Sequence, residues 1–200
     1  MPARFPPELP DGLVAVVKRD CATCRLVAPV LAQLVALDAT VTVYSQDDPT
    51  FPEATGGALD DTDLELSWRL DLDTVPTLLR VESGAEVDRT VGWDRDRWEA
   101  LTDVSDLGPD LPSFRPGCGS LSVDPERVDA LAVRFGASVL RSRRVELASL
   151  EDDYEALFER GWTDGLPVVP PTEARVLRML EGTTRSPEEV VAVVPPDLVE

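Results

Sequence analysis

The chain contains no histidine, and this absence removes several kinds of catalytic and metal site. Nucleophiles that need an imidazole base and zinc sites with histidine ligands are both excluded. Cysteine is scarce as well, with three residues in 200. So few thiols favour a reactive or metal-binding role over a framework of structural disulfides. Because histidine is absent, general acid and base chemistry must come from carboxylates or thiols.

The chain also has few positively charged residues and no long apolar run. Lys and Arg number 19 against 38 Asp and Glu, which gives a net charge of −19. Such a charge repels phosphate backbones and anionic lipid surfaces, and no apolar run approaches the ~20 residues that a membrane-spanning helix needs. We therefore expect neither nucleic acid nor a membrane as a partner. Residues 1–12 contain no apolar signal segment, so we expect a cytoplasmic protein.

The first third of the chain has the pattern of a parallel crossover unit. Residues 13–17 are a short apolar run typical of a buried strand. Apolar residues recur at helical spacing over residues 24–37, with Pro29 inside. Residues 40–44 are β-branched and aromatic, which favours a second strand. Strand, helix and strand in this order predict two parallel strands joined by a helix.

Further elements follow a loop at residues 49–63. The pattern predicts a short helix, two strands that form a hairpin, and a helix capped by Asp94. Residues 104–119 are rich in proline and glycine, which predicts a linker. The predicted ranges of the four elements are 64–70, 75–81, 86–91 and 95–101.

We predict two domains, residues 1–105 and residues 106–200. The second is expected to be mostly helical. Residues 161–172 resemble a segment of uncharacterised bacterial proteins, and we expect them to pack Trp162 and two valines into a small core. The apolar ending leaves open whether the chain is a fragment of a longer one. The predicted elements of the second domain are helices at 124–136, 150–160 and 173–181, a helical turn from 186, and a strand at 144–148.

Cys21 and Cys24 form a C-x-x-C motif where the first strand gives way to the first helix. A sulfur at a helix N-terminus is favoured as thiolate by free N–H groups and the helix dipole. Cys21 is therefore the expected nucleophile. Cys24 follows one helical turn later and could resolve a mixed disulfide on Cys21. A buried cysteine pair or half of a zinc site remain the alternatives for such a motif.

Several motifs in the correct order resemble those of the thioredoxin family, over residues 10–103. The basic residue after the second cysteine and the proline inside the helix are part of the resemblance. So are a cis-proline loop, a hairpin glycine and a glycine packed beside the active site. The matching segments are Cys21-x-x-Cys24-Arg25-x-x-Ala28-Pro29, Val75-Pro76-Thr77, Gly84 and Val91-Gly92.

The resemblance implies an α/β thioredoxin-like fold, with a central mixed sheet flanked by helices. It implies a thiol–disulfide oxidoreductase that reduces substrate disulfides through Cys21 and Cys24 without a cofactor. Val75, Pro76 and Gly92 would contact the substrate. The expected partners are a protein or small-molecule disulfide and a reductase.

Three positions depart from the family pattern. Asp20 replaces the tryptophan that commonly precedes the first cysteine, Ala15 stands where thioredoxin has a buried acid, and Thr42 where a buried lysine is common. The usual proton acceptor for the second cysteine is therefore missing. These departures predict a specialised protein rather than a general thioredoxin.

Cys118 lies between two glycines in the predicted linker. It could relay a disulfide from the C-x-x-C pair, add a third soft metal ligand, or be an ordinary linker cysteine; we favour the last. Two other hypotheses for the whole protein therefore stay open. One is a soft-metal or organometal protein that binds through the thiolates of Cys21, Cys24 and Cys118. The other is a redox-inert binding module on a thioredoxin-like scaffold.

Overall fold

The computed structural model describes residues 8–136, 140, 145, 147, 152–186, 189–190 and 192. The chain divides into two compact units. The larger is Ala3–Gly136, and the smaller is Ala137–Glu200 with the first two residues. The division that the sequence analysis placed near residue 105 falls inside the larger unit.

The centre of the larger unit is built from the predicted crossover. Strands β1 (Gly12–Val17) and β2 (Val41–Ser45) are parallel and joined by helix α1 (Ala22–Ala36). The consecutive apolar side chains of β1 are buried, as expected of a strand covered on both faces. Helix α1 buries one side, and Pro29 lies within it.

Three more strands complete a mixed sheet. Strands β5 (Thr77–Glu82) and β6 (Ala85–Val91) form the predicted hairpin, and β5 runs antiparallel to β1. The edge strand β3 (Leu59–Asp60) pairs with β2 inside the segment that the sequence predicted as loop. A strand of two residues is too short to give a periodic pattern. The order is β3-β2-β1-β5-β6, and the predicted α/β fold class is confirmed.

Two short helices and a long one flank this sheet. Helix α2 (Glu65–Arg69) follows a 3₁₀ turn at Glu53–Thr55, and helix α3 (Arg95–Thr102) follows β7 (Trp93–Asp94). The Asp94 carboxylate accepts a hydrogen bond from the Arg97 N–H, the N-cap that the sequence predicted. Helix α3 contacts β5 and β6, and α1 contacts β2.

Residues 104–119, predicted as a linker, are instead a folded part of the larger unit. Strand β8 (Phe114–Arg115) pairs with β7, and β9 (Cys118–Gly119) pairs with β4 (Thr74–Val75). We call residues 114–120 the return segment. Residues before it are anchored too, since the Leu107 side chain is completely buried in the main core. Proline and glycine therefore mark short strands and tight turns here, not a flexible connection.

The last part of the larger unit packs on α2. A 3₁₀ turn at Leu121–Val123 leads to helix α4 (Val128–Phe135). Leu131 of α4 joins Leu64 and Trp68 in a second apolar cluster. Residues 106–136 thus contribute to the same compact unit as the sheet.

The smaller unit contains two described helices close to the predicted ranges. Helix α5 (Asp153–Glu159) is capped by Asp152, and helix α6 (Glu173–Leu180) is capped by Thr172. The helical region predicted after the sheet is therefore present. A cavity of about 580 Å³ is lined by residues of both helices and by Trp162.

Two expectations for the smaller unit have different outcomes. The prediction that residues 161–172 pack Trp162 and two valines into a small core is wrong, because Trp162 is 52% exposed and Val169 is 71% exposed. The strand predicted at 144–148 and the helical turn predicted from 186 fall largely outside the described residues.

Candidate functional site

Cys21 is the N-cap residue of α1. Its backbone is extended, with φ −146° and ψ 120°, while its carbonyl oxygen accepts the Arg25 N–H. The Cys24 backbone N–H donates to Cys21 Sγ over 3.2 Å. The sulfur thus takes the place of a capping oxygen and satisfies an N–H group that the helix itself leaves free. This is the position that the sequence predicted for Cys21.

The surroundings of Cys21 favour its thiolate. They lower the pKa of Cys21 to about 5, and the largest cause is a hydrogen bond with the Cys24 thiol. A hydrogen bond with the Cys118 thiol and the backbone N–H groups of Cys24 and Thr23 act in the same direction. Burial opposes them, since Cys21 is only 2% exposed. Cys21 is therefore anionic at neutral pH.

Cys24 has the opposite character. Burial raises the pKa of Cys24 far above its ordinary value, and the hydrogen bond and negative charge of Cys21 raise it further. The Lys18 backbone N–H, 3.5 Å from the Cys24 sulfur, opposes this shift. Ala15 is fully buried and brings no carboxylate to β1. Cys24 therefore keeps its proton while Cys21 has lost its own.

The cis-proline loop lies directly beside Cys21. The Val75–Pro76 peptide bond is cis, and the Val75 carbonyl oxygen lies 3.7 Å from Cys21 Sγ. Gly92 donates its N–H to the Pro76 carbonyl over 2.7 Å. Gly92 has φ +68°, and a Cβ there would lie 2.8 Å from the backbone nitrogen of Gly117. The five residues predicted from the sequence thus meet in one place, while the substrate contacts of Val75, Pro76 and Gly92 stay predictions.

The return segment covers this site. Cys118 stands opposite Val75 in the pairing of β9 with β4. Thr23 Oγ1 donates to the Pro116 carbonyl over 2.7 Å, and Lys18 Nζ donates to the Gly119 carbonyl, also over 2.7 Å. The segment is thus fixed by the β1–α1 side as well as by β4. Cys118, favoured as an ordinary linker cysteine, lies instead beside the C-x-x-C motif, through its pairing with Val75.

A buried polar network anchors the far end of the return segment, and the sequence analysis missed it. The Gln46 amide donates to Ser67 Oγ and to Ser120 Oγ, 2.7 Å each, and its oxygen accepts the Leu121 N–H. Ser67 in turn donates to Asp61. A glutamine directly after a strand usually faces solvent, so nothing in the local pattern identifies Gln46 as buried.

Neither a cluster of metal-binding side chains nor a membrane-spanning helix occurs in the described part of the chain. No group of three or more His, Cys, Asp or Glu side chains among those residues could hold a metal ion. None of the helices in the same part of the chain is both long enough and apolar enough to cross a membrane.

The mixed sheet, the C-x-x-C motif at the start of α1 and the adjacent cis-proline loop define an α/β protein with a thioredoxin-like fold. No family model and no curated protein matches the chain. Among solved structures, it is similar to the Malassezia sympodialis thioredoxin Mala s 13, described as a member of a new pan-allergen family. The identity is 18%, the TM-score is 0.34, and the match covers 46% of this chain and 70% of that chain. The fold assignment rests on the topology and geometry above.

Proposed function

We propose that the chain is a thiol–disulfide oxidoreductase that reduces disulfides through Cys21 and Cys24. The observation that carries the proposal is the difference between the two sulfurs. Cys21 caps α1 and has a pKa well below that of an ordinary thiol, while Cys24, one turn later, is completely buried and protonated. An anionic nucleophile next to a protonated partner is what two-step thiol–disulfide exchange requires.

In the first step, the Cys21 thiolate attacks one sulfur of the substrate disulfide. A bond forms between Cys21 Sγ and that sulfur, the substrate S–S bond breaks, and the other sulfur leaves as a thiolate. The low pKa of Cys21 supplies the thiolate at neutral pH without a separate base.

In the second step, Cys24 loses its proton and attacks Cys21 Sγ. The mixed disulfide breaks, the remaining substrate sulfur leaves as a thiolate, and the protein holds a Cys21–Cys24 disulfide. Once Cys21 is bonded to sulfur it no longer carries the charge that raises the pKa of Cys24. Formation of the mixed disulfide therefore makes Cys24 easier to deprotonate. A reductase then returns both thiols, with the cytoplasm as the proposed compartment and reduction as the working direction.

The cis-proline loop is the proposed substrate contact. The Val75 carbonyl, 3.7 Å from Cys21 Sγ, lies where an extended chain bonded to Cys21 would run. Pro76 has no N–H of its own, so it does not compete for hydrogen bonds with that chain. Gly92 holds the loop through its bond to Pro76.

The proposal is tested by insulin reduction with purified protein and a dithiol as the electron source. Cys21→Ser is expected to abolish activity, because it removes the nucleophile. Cys24→Ser combined with Cys118→Ser, which removes both sulfurs that could resolve it, is expected to accumulate a mixed disulfide on Cys21, visible by mass spectrometry. Val35→Ser is the matched control, since it places the same side chain at an exposed position near the other end of α1.

Unchanged insulin reduction by Cys21→Ser would refute the role of this sulfur. The role would also be refuted if peptide mapping found Cys21 and Cys24 still as free thiols after the protein had been treated with an oxidant.

A further inference from the structure

A third sulfur lies against the proposed redox pair. Cys118 is the partner of Val75 in the antiparallel pairing of β9 with β4, and the Val75 carbonyl oxygen lies 3.7 Å from Cys21 Sγ. Cys118 is also among the groups that lower the pKa of Cys21, and Cys21 raises the pKa of Cys118 in turn. The pairing with Val75 thus places Cys118 beside the nucleophile, and the mutual pKa shifts of the two thiols agree with this placement.

The return segment is held firmly in this position. Ser120 donates its N–H to the Asp73 carbonyl over 2.9 Å, which continues the pairing beyond β9. Thr23 and Lys18 bind the carbonyls on either side of Cys118. Gly117 permits the close approach, because a Cβ there would overlap Thr74 Cγ2 and lie 2.7 Å from the Val75 carbonyl oxygen.

The path of the return segment is that of a bound peptide. An extended peptide that adds to β4 would form the same antiparallel pairing as β9. Its cysteine, placed opposite Val75, would then contact Cys21. We propose that Cys118 occupies the position of the substrate sulfur and forms a reversible disulfide with Cys21, so that the return segment is an internal substrate. This inference rests on the proposed function of Cys21 as a nucleophile.

The chemistry requires an external disulfide such as glutathione disulfide. The Cys21 thiolate attacks it, which forms a Cys21–glutathione bond and releases one glutathione thiolate. Cys118 then loses its proton and attacks Cys21 Sγ, which forms the Cys21–Cys118 bond and releases the second glutathione. Two protein thiols are oxidised and one disulfide is reduced to two thiols. Cys24 can next attack Cys21, which releases the Cys118 thiolate and leaves the Cys21–Cys24 disulfide.

The arrangement also fits the exposure of the sulfurs. Cys21 is 2% exposed beneath the return segment, whereas Cys118 is half-buried and Pro116 and Gly119 beside it are exposed. A large substrate reaches Cys21 only after it displaces β9 from β4. The internal strand and an external peptide therefore compete for the same backbone groups and the same sulfur.

The test uses the full chain with Cys24→Ser, which retains Cys21 and Cys118 as its only thiols. After treatment with glutathione disulfide, we expect an intramolecular Cys21–Cys118 disulfide and two glutathiones released for each protein chain. This product should exceed the glutathione adduct by about tenfold or more, because two sulfurs held near each other by the fold have a high effective concentration. Peptide mapping identifies the linkage, and in the unsubstituted protein the same peptide pair should accompany Cys21–Cys24.

A stable glutathione adduct on Cys21 beside a free Cys118 would overturn the proposal, as would a disulfide between two chains. The matched control is Cys24→Ser combined with Cys118→Ser, in which we expect the glutathione adduct on Cys21 to accumulate. If this control forms the adduct while Cys24→Ser gives no intramolecular disulfide, the internal substrate is refuted and the proposed function stands. If the control forms no adduct, the nucleophilic role of Cys21 fails and the internal substrate with it.

Discussion

Cys21 and Cys24 carry the same side chain, and the fold makes them chemically different. Cys21 replaces a capping oxygen at the start of α1, where N–H groups and a neighbouring thiol stabilise its charge. Cys24 is directed into the core, where no water reaches it. The difference follows from one helical turn between an N-cap position and an interior position.

Titration of the thiolate by its ultraviolet absorbance should show this difference. We expect one thiolate to form with a midpoint near pH 5, the value to which its neighbours lower the pKa of Cys21. Cys21→Ser should remove this transition, which assigns it. Cys24→Ala should move the midpoint upward, since the Cys24 thiol is the largest cause of the low pKa. A midpoint in the range of an ordinary thiol, about 8.5, would contradict the assignment.

Asp61 predicts a pH dependence of stability. Burial raises the pKa of Asp61 from 3.8 to about 6, against the hydrogen bonds from Ser67 and Leu66 that lower it. The folded state therefore binds this proton more tightly than the unfolded state does. Its contribution to stability is complete below pH 3.8 and is lost as pH rises through about 6. Between pH 3.8 and about 6, Asp61 should therefore make the free energy of unfolding fall as the pH rises.

Urea unfolding at several pH values measures that slope, and Asp61→Asn should reduce it. Asp60→Asn is the control, because Asp60 is the preceding carboxylate and is exposed. The same slope in the wild-type protein and in Asp61→Asn would exclude Asp61 as its source.

At the scale of elements, the return segment is the part on which the site depends most. Its strands are only two residues long, so their pairing is maintained by side chains from elsewhere. Lys18 and Thr23 hold it from the β1–α1 side, and Gln46 holds its end through Ser120. A change that separates β9 from β4 should therefore alter the reactivity of Cys21 without unfolding the sheet.

Gly117→Ala is such a change. The added methyl would overlap Thr74 and press on the Val75 carbonyl, so β9 must move away from β4. We expect Cys21 to react at least several-fold faster with a bulky disulfide reagent. Gly119→Ala is the matched control, because a Cβ there meets no atom within 4 Å. Stopped-flow measurement of the reaction compares the two, and equal rates would show that the return segment does not limit access.

At the scale of the whole molecule, the sequence predicted the parts that have a local signature. The strand–helix–strand order, the hairpin and the C-x-x-C motif all involve residues close in sequence. The pairing of Val75 with Cys118 joins residues far apart, and a two-residue strand leaves no alternation of apolar and polar residues. Prolines at 109, 112 and 116 suggested a linker, although the chain there is packed. The position of Cys118 could therefore not be predicted.

The compact units predict where the chain can be shortened. Residues 1–136 should unfold cooperatively and form the Cys21–Cys24 disulfide, because they include β8, β9 and α4. Residues 1–105 should be much less stable, since they lack the fully buried Leu107 and the partner of β4. Thermal unfolding followed by circular dichroism compares the two fragments. Equal stability would place the domain boundary near residue 105.

Lys18 is the only lysine in the chain, and its ammonium group binds the carbonyl of Gly119. Amine-directed reagents therefore have one side-chain target in the entire molecule, and it reports on the contact between Lys18 and Gly119. Acetylation of that amine would remove its charge and weaken its hydrogen bond to Gly119 in β9. One covalent label that leaves all three sulfurs unmodified would thus report how often the contact between Lys18 and Gly119 opens.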